Sequence, residues 1–501
     1  SVLTELNSPS GVGTETNAWT ITLHSDDATR ATAAQLNTID DATSVAVTSA
    51  AITGLGASDL NDLSTLNGNA GNFSTLANIT AVTLTENGGS GNSNLDYSTL
   101  GSIIDAYQAR NGAVAFTPDA GDTIVIDNDA EVTAYVSDIT NGRLLLNDQA
   151  VTVNSGVDLS IANARSIADD TSGTVTATIA SSRVSDLTAL RDPGSGNEEN
   201  AWTITVNSDD AANEVTAAEL NTLNAATSVA VNVNAVTELK ASDLTDLTTL
   251  HSNRTDFTNI DSIATINLTN DGGGAGGSVD YSDLETIVDN YRAAGAAGIN
   301  TNAVFKFADS DAITIDDTGE VTAYLADIES GALALTNQTV TVNAGVGLSV
   351  ADAKSIAADT TGTVTATIAS GTHVSVLTEL NSPSGVGTET NAWTITLHGD
   401  DATRATAAQL NTINSATSEE VNAAAITGIA ASSMDDVGTL LTSAVATTPR
   451  EFTTGSFDNL TAVNINSATI DVTDLNTAIT NAGNAVTACL LYTSPSPRDP
   501  M

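Results

Sequence analysis

Pairs and short runs of aspartate recur along this sequence, and they are the residues best suited to chemistry. One set follows a tryptophan-bearing stretch and comprises Asp26 and Asp27, Asp209 and Asp210, and Asp400 and Asp401. A second set comprises Asp127 and Asp129 with Glu131, and Asp316 and Asp317 with Glu320. Calcium takes about six to eight oxygen ligands, which short acidic turns with backbone carbonyls can supply. The sequence therefore predicts calcium binding at these turns.

A structural role for the same residues stays open as the alternative. Asp and Asn accept hydrogen bonds from the first amides of helices, and they favour turns. Many acidic side chains also keep a repetitive protein soluble. Both interpretations place the aspartates where one element ends and the next begins.

The four histidines do not form a recurring catalytic arrangement. His24 and His398 stand at equivalent places of two repeat copies, but Asn207 stands there in the middle copy. The sequence contains none of the common motifs for a nucleophile elbow, a zinc protease, a phosphate loop or a dinucleotide site. We therefore predict that the protein is not an enzyme and that it has no catalytic residues.

The amino-acid composition limits the classes of partner that this chain is expected to bind. The chain has 501 residues, and 14 Lys and Arg against 61 Asp and Glu give a formal net charge of −47. This charge repels phosphate and anionic lipid, which excludes nucleic acid as a partner. The 41% apolar share is too high for a disordered acidic tail. No apolar run approaches the roughly 20 residues of a membrane-spanning helix.

Long internal repeats organise the chain. The sequence Asn-Ala-Trp-Thr-Ile-Thr begins at Asn17 and returns at Asn200 and Asn391. Residues 1–39 match 375–413, with one difference between the two stretches. Copies this similar indicate recent duplication within a longer array.

Segments rich in Pro, Gly and Ser open each copy and mark the predicted boundaries. We predict three copies, over residues 1–190, 191–380 and, truncated, 381–488. Residues 489–501 resemble the translation of a sequencing adapter, and we exclude them from the fold. The one cysteine, Cys489, falls in this tail, so disulfides and thiolate metal sites are not expected.

Inside each copy, strand-like stretches alternate with short helical ones, at a period of about 24–40 residues. The predicted strands in the first copy are 19–23, 45–47, 82–84, 124–126, 151–153 and 175–179. Capping-box patterns at Thr32, Thr216 and Ser282 predict helix starts. Successive strands joined by a helix run parallel, with a right-handed crossover.

Alternation within a strand gives the layering. Val175, Ala177 and Ile179 point to one face, whereas the threonines between them point to the other. We therefore predict an α/β fold, a right-handed single-layer solenoid with a parallel sheet on one side and helices on the other. The alternative is a row of tandem immunoglobulin-like β-sandwiches.

Several segments carry a resemblance to known proteins. Residues 216–231 and 348–357 are similar to tandem repeats in giant extracellular and cell-surface proteins of marine bacteria, including cyanobacteria. This resemblance is one of repeat style and covers most of residues 1–488. It implies a very long, adhesin-like chain at the cell surface or outside the cell, exported by type I secretion.

These observations predict a non-catalytic structural segment of a large secreted or cell-surface protein, which acts as a spacer or surface layer. One alternative is a calcium-dependent adhesin array that binds glycans or cells. A polysaccharide-degrading solenoid enzyme is the third. Expected partners are cell-surface glycans or neighbouring copies of the repeat.

Overall fold

The structure is a computed structural model that describes residues 18–85, 94–190, 200–207, 215–269, 277–308, 311–381, 391–446, 451–466 and 472–481. Its α-helices in these ranges are α1 (Ala33–Asp41), α2 (Leu60–Gly68), α3 (Tyr97–Asn111), α4 (Asp129–Thr140), α5 (Ile161–Ala168), α6 (Val184–Leu187), α7 (Ala217–Asn224), α8 (Leu244–Ser252), α9 (Tyr281–Arg292), α10 (Thr318–Glu329), α11 (Val350–Asp359), α12 (Val374–Leu377), α13 (Ala407–Asn414), α14 (Met434–Val445) and α15 (Val472–Asn481).

The strands of the same ranges are β1 (Gly54–Ser58), β2 (Ala81–Leu84), β3 (Asn94–Asp96), β4 (Ala115–Thr117), β5 (Thr123–Ile126), β6 (Ala150–Val153), β7 (Asp158–Leu159), β8 (Val175–Ile179), β9 (Ala201–Thr203), β10 (Val231–Asn232), β11 (Glu238–Ser242), β12 (Phe257–Thr258), β13 (Thr265–Leu268), β14 (Ser278–Asp280), β15 (Val304–Lys306), β16 (Ala312–Ile315), β17 (Leu333–Ala334), β18 (Thr339–Val342), β19 (Gly347–Leu348), β20 (Val364–Ile368), β21 (Ala392–Thr394), β22 (Gly428–Ser432) and β23 (Ala462–Ile465).

The chain divides into two compact units, one of residues 1–237 with 252–262 and the other of 238–251 with 263–501. All strand pairings among the described residues are parallel. Parallel neighbours need a crossover, and helices provide most of the crossovers here. The predicted α/β class is confirmed, and antiparallel immunoglobulin-like sandwiches are excluded for these residues.

The strands of each unit form three sheets. In the first unit the orders are β1-β2-β4, β10-β12, and β3-β5-β6-β8 with both β7 and β9 on β8. In the second unit they are β11-β13-β15-β17, β22-β23, and β14-β16-β18-β20 with both β19 and β21 on β20. One continuous sheet was predicted, and the described strands instead divide into several. We call one turn of the repeating strand–helix pattern a coil. Within one coil the chain turns between consecutive strands, as between β4 and β5, where Gly121 has a φ of 83°.

Consecutive helices lie against one another within each unit. In the first unit α1 to α5 contact each other in chain order, and α6 contacts α7. In the second unit α9 to α11 do so, as do α12 to α15. Each strand therefore pairs with a strand of the next coil while its helix packs on the next helix.

Helix starts follow the predicted capping chemistry at two of three positions. Thr32 and Thr216 both form complete capping boxes, in which the third helical residue bonds back to the cap amide. The predicted box at Ser282 is wrong. Asp280 caps α9 instead and accepts a hydrogen bond from the Ser282 amide at 2.9 Å, because an aspartate two residues earlier offers a better acceptor.

The predicted alternation of strand faces holds in the longest strands. Val175, Ala177 and Ile179 are buried in β8, whereas Thr176 is exposed. Strand β20 repeats this arrangement. The apolar side chains of these strands therefore face the core, and their threonines lie at the surface.

Two of the predicted strands are not strands in the structure, and each contributes only one β-bridge. Residues 19–23 contribute only the bridge between Thr22 and Thr48, and residues 45–47 only the bridge between Val47 and Phe73. At the places equivalent to 19–23, β9 and β21 are strands because β8 and β20 pair with them from the preceding coil.

Candidate functional site

The acidic turn before α4 is a helix cap. Asn128 caps the helix, and its side-chain oxygen accepts a hydrogen bond from the Glu131 amide at 3.0 Å. The Glu131 carboxylate accepts in turn from the Asp127 amide at 2.8 Å. Asp129 is the first residue of α4 and is exposed, where its negative charge favours the helix N-terminus.

The acidic turn before α10 repeats this chemistry in the second unit. The Asp317 carboxylate accepts from the amides of Gly319 at 2.6 Å and Glu320 at 3.0 Å. The Glu320 carboxylate accepts from the Asp316 amide at 2.7 Å. In both turns a side-chain oxygen, from Asn128 in one and Asp317 in the other, accepts from an open amide of the helix start. A glutamate carboxylate in each turn accepts from the amide of the residue before the cap.

The same turns also link neighbouring coils. Asn154 donates a side-chain hydrogen bond to the Asp127 carboxylate, and Asn343 donates one to Asp316. The partners are 27 residues apart in both pairs. One carboxylate oxygen at each of these turns is thus engaged with the next coil.

In the first and third copies, the aspartates after the tryptophan stretch lie in short 3-10 turns. Asp26 and Asp27 are exposed in the first copy. In the third copy Asp400 is exposed, whereas Asp401 is only 7% exposed. Asp209 and Asp210, the predicted pair of the second copy, lie outside the described residues.

Buried Asp401 has two partners from the preceding coil. Its carboxylate accepts a hydrogen bond from the Val374 amide at 2.9 Å, at the start of α12. The imidazole Nδ1 of His373 lies 3.3 Å from the same oxygen. The His373 ring in turn meets the ring of His398 edge to face, with centroids 5.5 Å apart. This cluster joins one coil to the next.

The calcium prediction is not decided by this geometry. Among the described residues there is no group of three or more His, Cys, Asp or Glu side chains that could hold a metal ion. The ten predicted ligands are spread over five turns, of which the structure describes four. Calcium at these turns therefore stays a prediction.

That prediction has a direct test. A metal that binds only the folded chain stabilises it, by about 2.7 kcal/mol at 100 times its Kd. We expect calcium to raise the midpoint of thermal unfolding above its value in magnesium at equal ionic strength, and Asp127→Asn with Asp316→Asn to reduce the rise. Identical midpoints in the two cations would exclude calcium sites.

A buried tyrosine–aspartate pair, which the sequence analysis missed, joins α3 to α4. The Tyr97 hydroxyl donates a hydrogen bond to the Asp138 carboxylate at 2.7 Å, and Asp138 is 4% exposed. The Arg143 guanidinium lies 3.4 Å from the other carboxylate oxygen. In the second unit, Tyr281 donates to Asp327 at 2.6 Å in the same way. The recurrence of tyrosine in both copies was the one available signal.

Burial sets the ionisation of this pair. It raises the pKa of Tyr97, and the hydrogen bond to Asp138 raises it further. Burial also raises the pKa of Asp138, although the bond from Tyr97 and the charge of Arg143 act in the opposite direction. Tyr97 therefore stays protonated at neutral pH and serves as a hydrogen-bond donor.

A groove of about 410 Å³ opens beside this pair, between α3 and α4. Asp105, Glu131 and Arg143 line it together with Tyr97 and Asp138. A second groove, of about 460 Å³, lies in the other unit between α8 and α9 and is lined mainly by Thr, Ser and Asp. The two grooves lie between different pairs of helices.

Two further, half-buried carboxyls lie near tyrosines. Burial raises the pKa of Asp170 and of Asp359, and their charges lie near the hydroxyls of Tyr135 and Tyr324. Neither hydroxyl has a hydrogen-bond partner among the described residues. The charged form of each carboxyl is therefore disfavoured in the folded chain.

This burial predicts a pH dependence of stability. Between the ordinary pKa of 3.8 and the raised native value, the folded chain holds more protons than the unfolded chain. Stability therefore falls as the pH rises through that window. We expect the melting temperature to be higher at mildly acidic pH than at pH 7, with the measurement made in high salt to screen general repulsion.

Two variants distinguish the effect of these carboxyls on the pH dependence of stability from the effect of the overall charge. The double variant Asp170→Asn with Asp359→Asn should reduce the fall in melting temperature with rising pH, whereas Asp158→Asn, at an exposed residue of β7, should leave that fall unchanged. A melting temperature that increases steadily from pH 5 to pH 8 in the unmodified chain would contradict the prediction.

Threonines line the outer face of the large sheet in each unit. In the first unit Thr152 pairs with Thr176, and Thr178 pairs with Thr203. In the second unit a row runs from Thr314 through Thr341 to Thr365. Cross-strand threonine pairs stabilise a parallel ladder, and an exposed aspartate pairs with the threonine row at one strand of each sheet, Asp158 with Thr178 and Asp280 with Thr314.

Comparison with known proteins finds no family model and no curated protein that matches this chain. Among the described residues, none of the helices combines the length and apolar character needed to cross a bilayer.

Proposed function

We propose that this chain is a non-catalytic structural segment of a large secreted or cell-surface protein, acting as a spacer or surface layer. Its coils are taken to wind as a right-handed solenoid, because a parallel strand–helix–strand connection is right-handed in nearly all proteins. In such a solenoid each coil contacts mainly its neighbours, so length grows with the number of coils.

One observation carries the proposal: the same coil-to-coil hydrogen bond recurs in all three copies. The carbonyl of each tryptophan accepts from a threonine hydroxyl of the next coil, at 2.7 Å from Thr43, 2.9 Å from Thr227 and 2.8 Å from Thr417. Such repetition supports a chain whose polar groups serve mainly to stack coils. It is the feature expected of a spacer.

The charge supports a setting outside the cell. Acidic side chains at the turns repel each other strongly in dilute buffer, but high ionic strength shortens the range of that repulsion to a few ångströms. The core of the described residues is built mainly from Val, Leu, Ile and Ala with some buried Tyr, Phe and Trp rings, and the single cysteine of the chain cannot form an internal disulfide. A setting of high ionic strength at a bacterial surface therefore suits both the acidic charge and this core.

Small-angle scattering of the full chain tests this function. A compact protein of 501 residues has a radius of gyration of about 23 Å. A spacer should exceed this value clearly, and a variant with residues 185–374 duplicated in tandem should be longer again, with unchanged melting temperature. A radius near that of a compact protein, or a duplication that adds no length, would refute the spacer.

A further inference from the structure

The tyrosines of α3, α4, α9 and α10 are all buried, at most 1% exposed, so each hydroxyl needs a hydrogen-bond partner inside the protein. Most of them have a direct partner at 2.6 to 3.2 Å: Tyr97 donates to Asp138, Tyr281 to Asp327, Tyr107 to the Leu63 carbonyl and Tyr291 to the Leu247 carbonyl. Tyr135 and Tyr324 are the exceptions, since their enclosed hydroxyls have no partner among the described residues.

These two exceptions occupy the same place in two copies of the repeat. Tyr135 and Tyr324 each end the sequence Glu-Val-Thr-Ala-Tyr, within α4 and α10 respectively. The carboxyls near them are equivalent as well, because Asp170 and Asp359 each stand three residues after a Ser-Ile pair and just before a threonine. Helix α4 packs on α5, and α10 packs on α11. The same tyrosine and aspartate therefore meet where one coil lies against the next, in both units.

The hydroxyl and the carboxyl of each pair interact without a direct bond. Burial, and then the charge of Asp170, raise the pKa of Tyr135, and Asp359 acts on Tyr324 in the same way. The buried Oδ2 atom of Asp170 also has no hydrogen-bond partner within the described part of the chain. Burial is the one cause that acts on the pKa of Asp170. A donor and an acceptor thus face each other at more than bonding distance.

The chemistry of these pairs defines what can lie between them. A buried hydroxyl without a partner is unfavourable, because it has given up its hydrogen bonds to water. The ligand must be small, must accept from the tyrosine hydroxyl and must donate to the carboxylate. A protonated carboxyl would require an acceptor instead. Water both donates and accepts, and buried waters commonly bridge polar groups that are too far apart to bond directly.

We propose that two coil junctions each bind an internal water molecule, between Tyr135 and Asp170 in the first unit and between Tyr324 and Asp359 in the second. The tyrosine hydroxyl donates to the water, and the water donates to the carboxylate. Because the hydroxyl is enclosed, this water belongs to the packed structure and not to the solvated surface. The inference goes beyond the spacer function, since it assigns a ligand to the coil junctions and does not rest on that function.

Counting the long-lived waters of the full chain tests this proposal. Magnetic relaxation dispersion of the water signal detects internal waters that stay bound for longer than the protein takes to tumble. The double variant Tyr135→Phe with Tyr324→Phe keeps both rings in place but removes both hydroxyls. We expect the number of long-lived waters to fall by two in this variant and by one in each single variant.

The directly bonded tyrosines provide the matched control. The variant Tyr107→Phe with Tyr291→Phe removes hydroxyls that donate straight to backbone carbonyls, so the number of long-lived waters should not change. An unchanged number in the Tyr135→Phe with Tyr324→Phe variant would overturn the proposal. An equal fall in the control would overturn it as well, because the loss would then reflect looser helix packing. Circular dichroism verifies that every variant keeps its helices.

A crystal structure of the full chain gives an independent test. A water oxygen should lie within about 2.7 to 3.2 Å of both the Tyr135 hydroxyl and the Asp170 carboxylate. A direct bond between these two groups, or an enclosed space without water, would contradict the proposal. Neither measurement depends on the length of the chain, so failure here is distinct from failure of the spacer function.

Discussion

Trp202→Ala is expected to lower the free energy of unfolding by about 3–5 kcal/mol, as is usual for truncating a fully buried aromatic side chain. The indole is 1% exposed, and its neighbour across the ladder is Ala177. Loss of the ring leaves a cavity between two coils that short strands on either side cannot close. Trp393→Ala should have the same effect in the second unit, where the indole is 2% exposed.

The first copy supplies the matched control. Trp19 has the same sequence neighbours from Ala18 to Thr22 but is 51% exposed, so Trp19→Ala should change the unfolding free energy by no more than about 0.5 kcal/mol. Urea denaturation followed by far-ultraviolet circular dichroism measures all three variants, since it does not rely on tryptophan emission. Equal losses in the three variants would show that Trp19 is covered in solution.

The difference in burial between Trp19 and Trp202 shows which features could be predicted from the sequence alone. The alternation in Val175 to Ile179 and the capping residue Thr32 report local preferences, and the structure confirms them both. Trp19 and Trp202 stand in nearly identical local sequences, so no local rule separates them. Their burial differs because β8 covers one and no described strand covers the other.

At the candidate site, too, local features could be predicted from the sequence, whereas contacts between distant residues could not. The acidic turns were found from sequence because Asp and Asn cluster visibly there. The Tyr97–Asp138 bond was missed because its partners are 41 residues apart and belong to different helices. Only the packing of α3 on α4 brings them together. Likewise, the division into several sheets depends on a turn between β4 and β5 that the strand pattern does not reveal.

Gly362→Ala is the second substitution for which we expect a large effect. It should lower the free energy of unfolding by about 3 kcal/mol, the upper end of the usual cost of overpacking a core. A Cβ atom there would stand 2.6 Å from the Asn337 carbonyl oxygen and closer still to that of Gln338. The turn cannot retreat, because the Thr360 hydroxyl accepts from the Gly362 amide at 2.9 Å and donates to the Gln338 carbonyl at 2.6 Å.

Two other glycines of the same unit separate this clash from a general effect of replacing glycine. A Cβ on Gly345 or on Gly399 would meet nothing within 4 Å, and neither has a positive φ. Gly345→Ala and Gly399→Ser should therefore change the unfolding free energy by no more than about 0.5 kcal/mol. Ser25 already occupies the place of Gly399 in the first copy. Because the obstacle at Gly362 is backbone of the preceding coil, a tolerated alanine there would mean that the two coils do not pack as closely as parallel pairing of β18 with β20 requires.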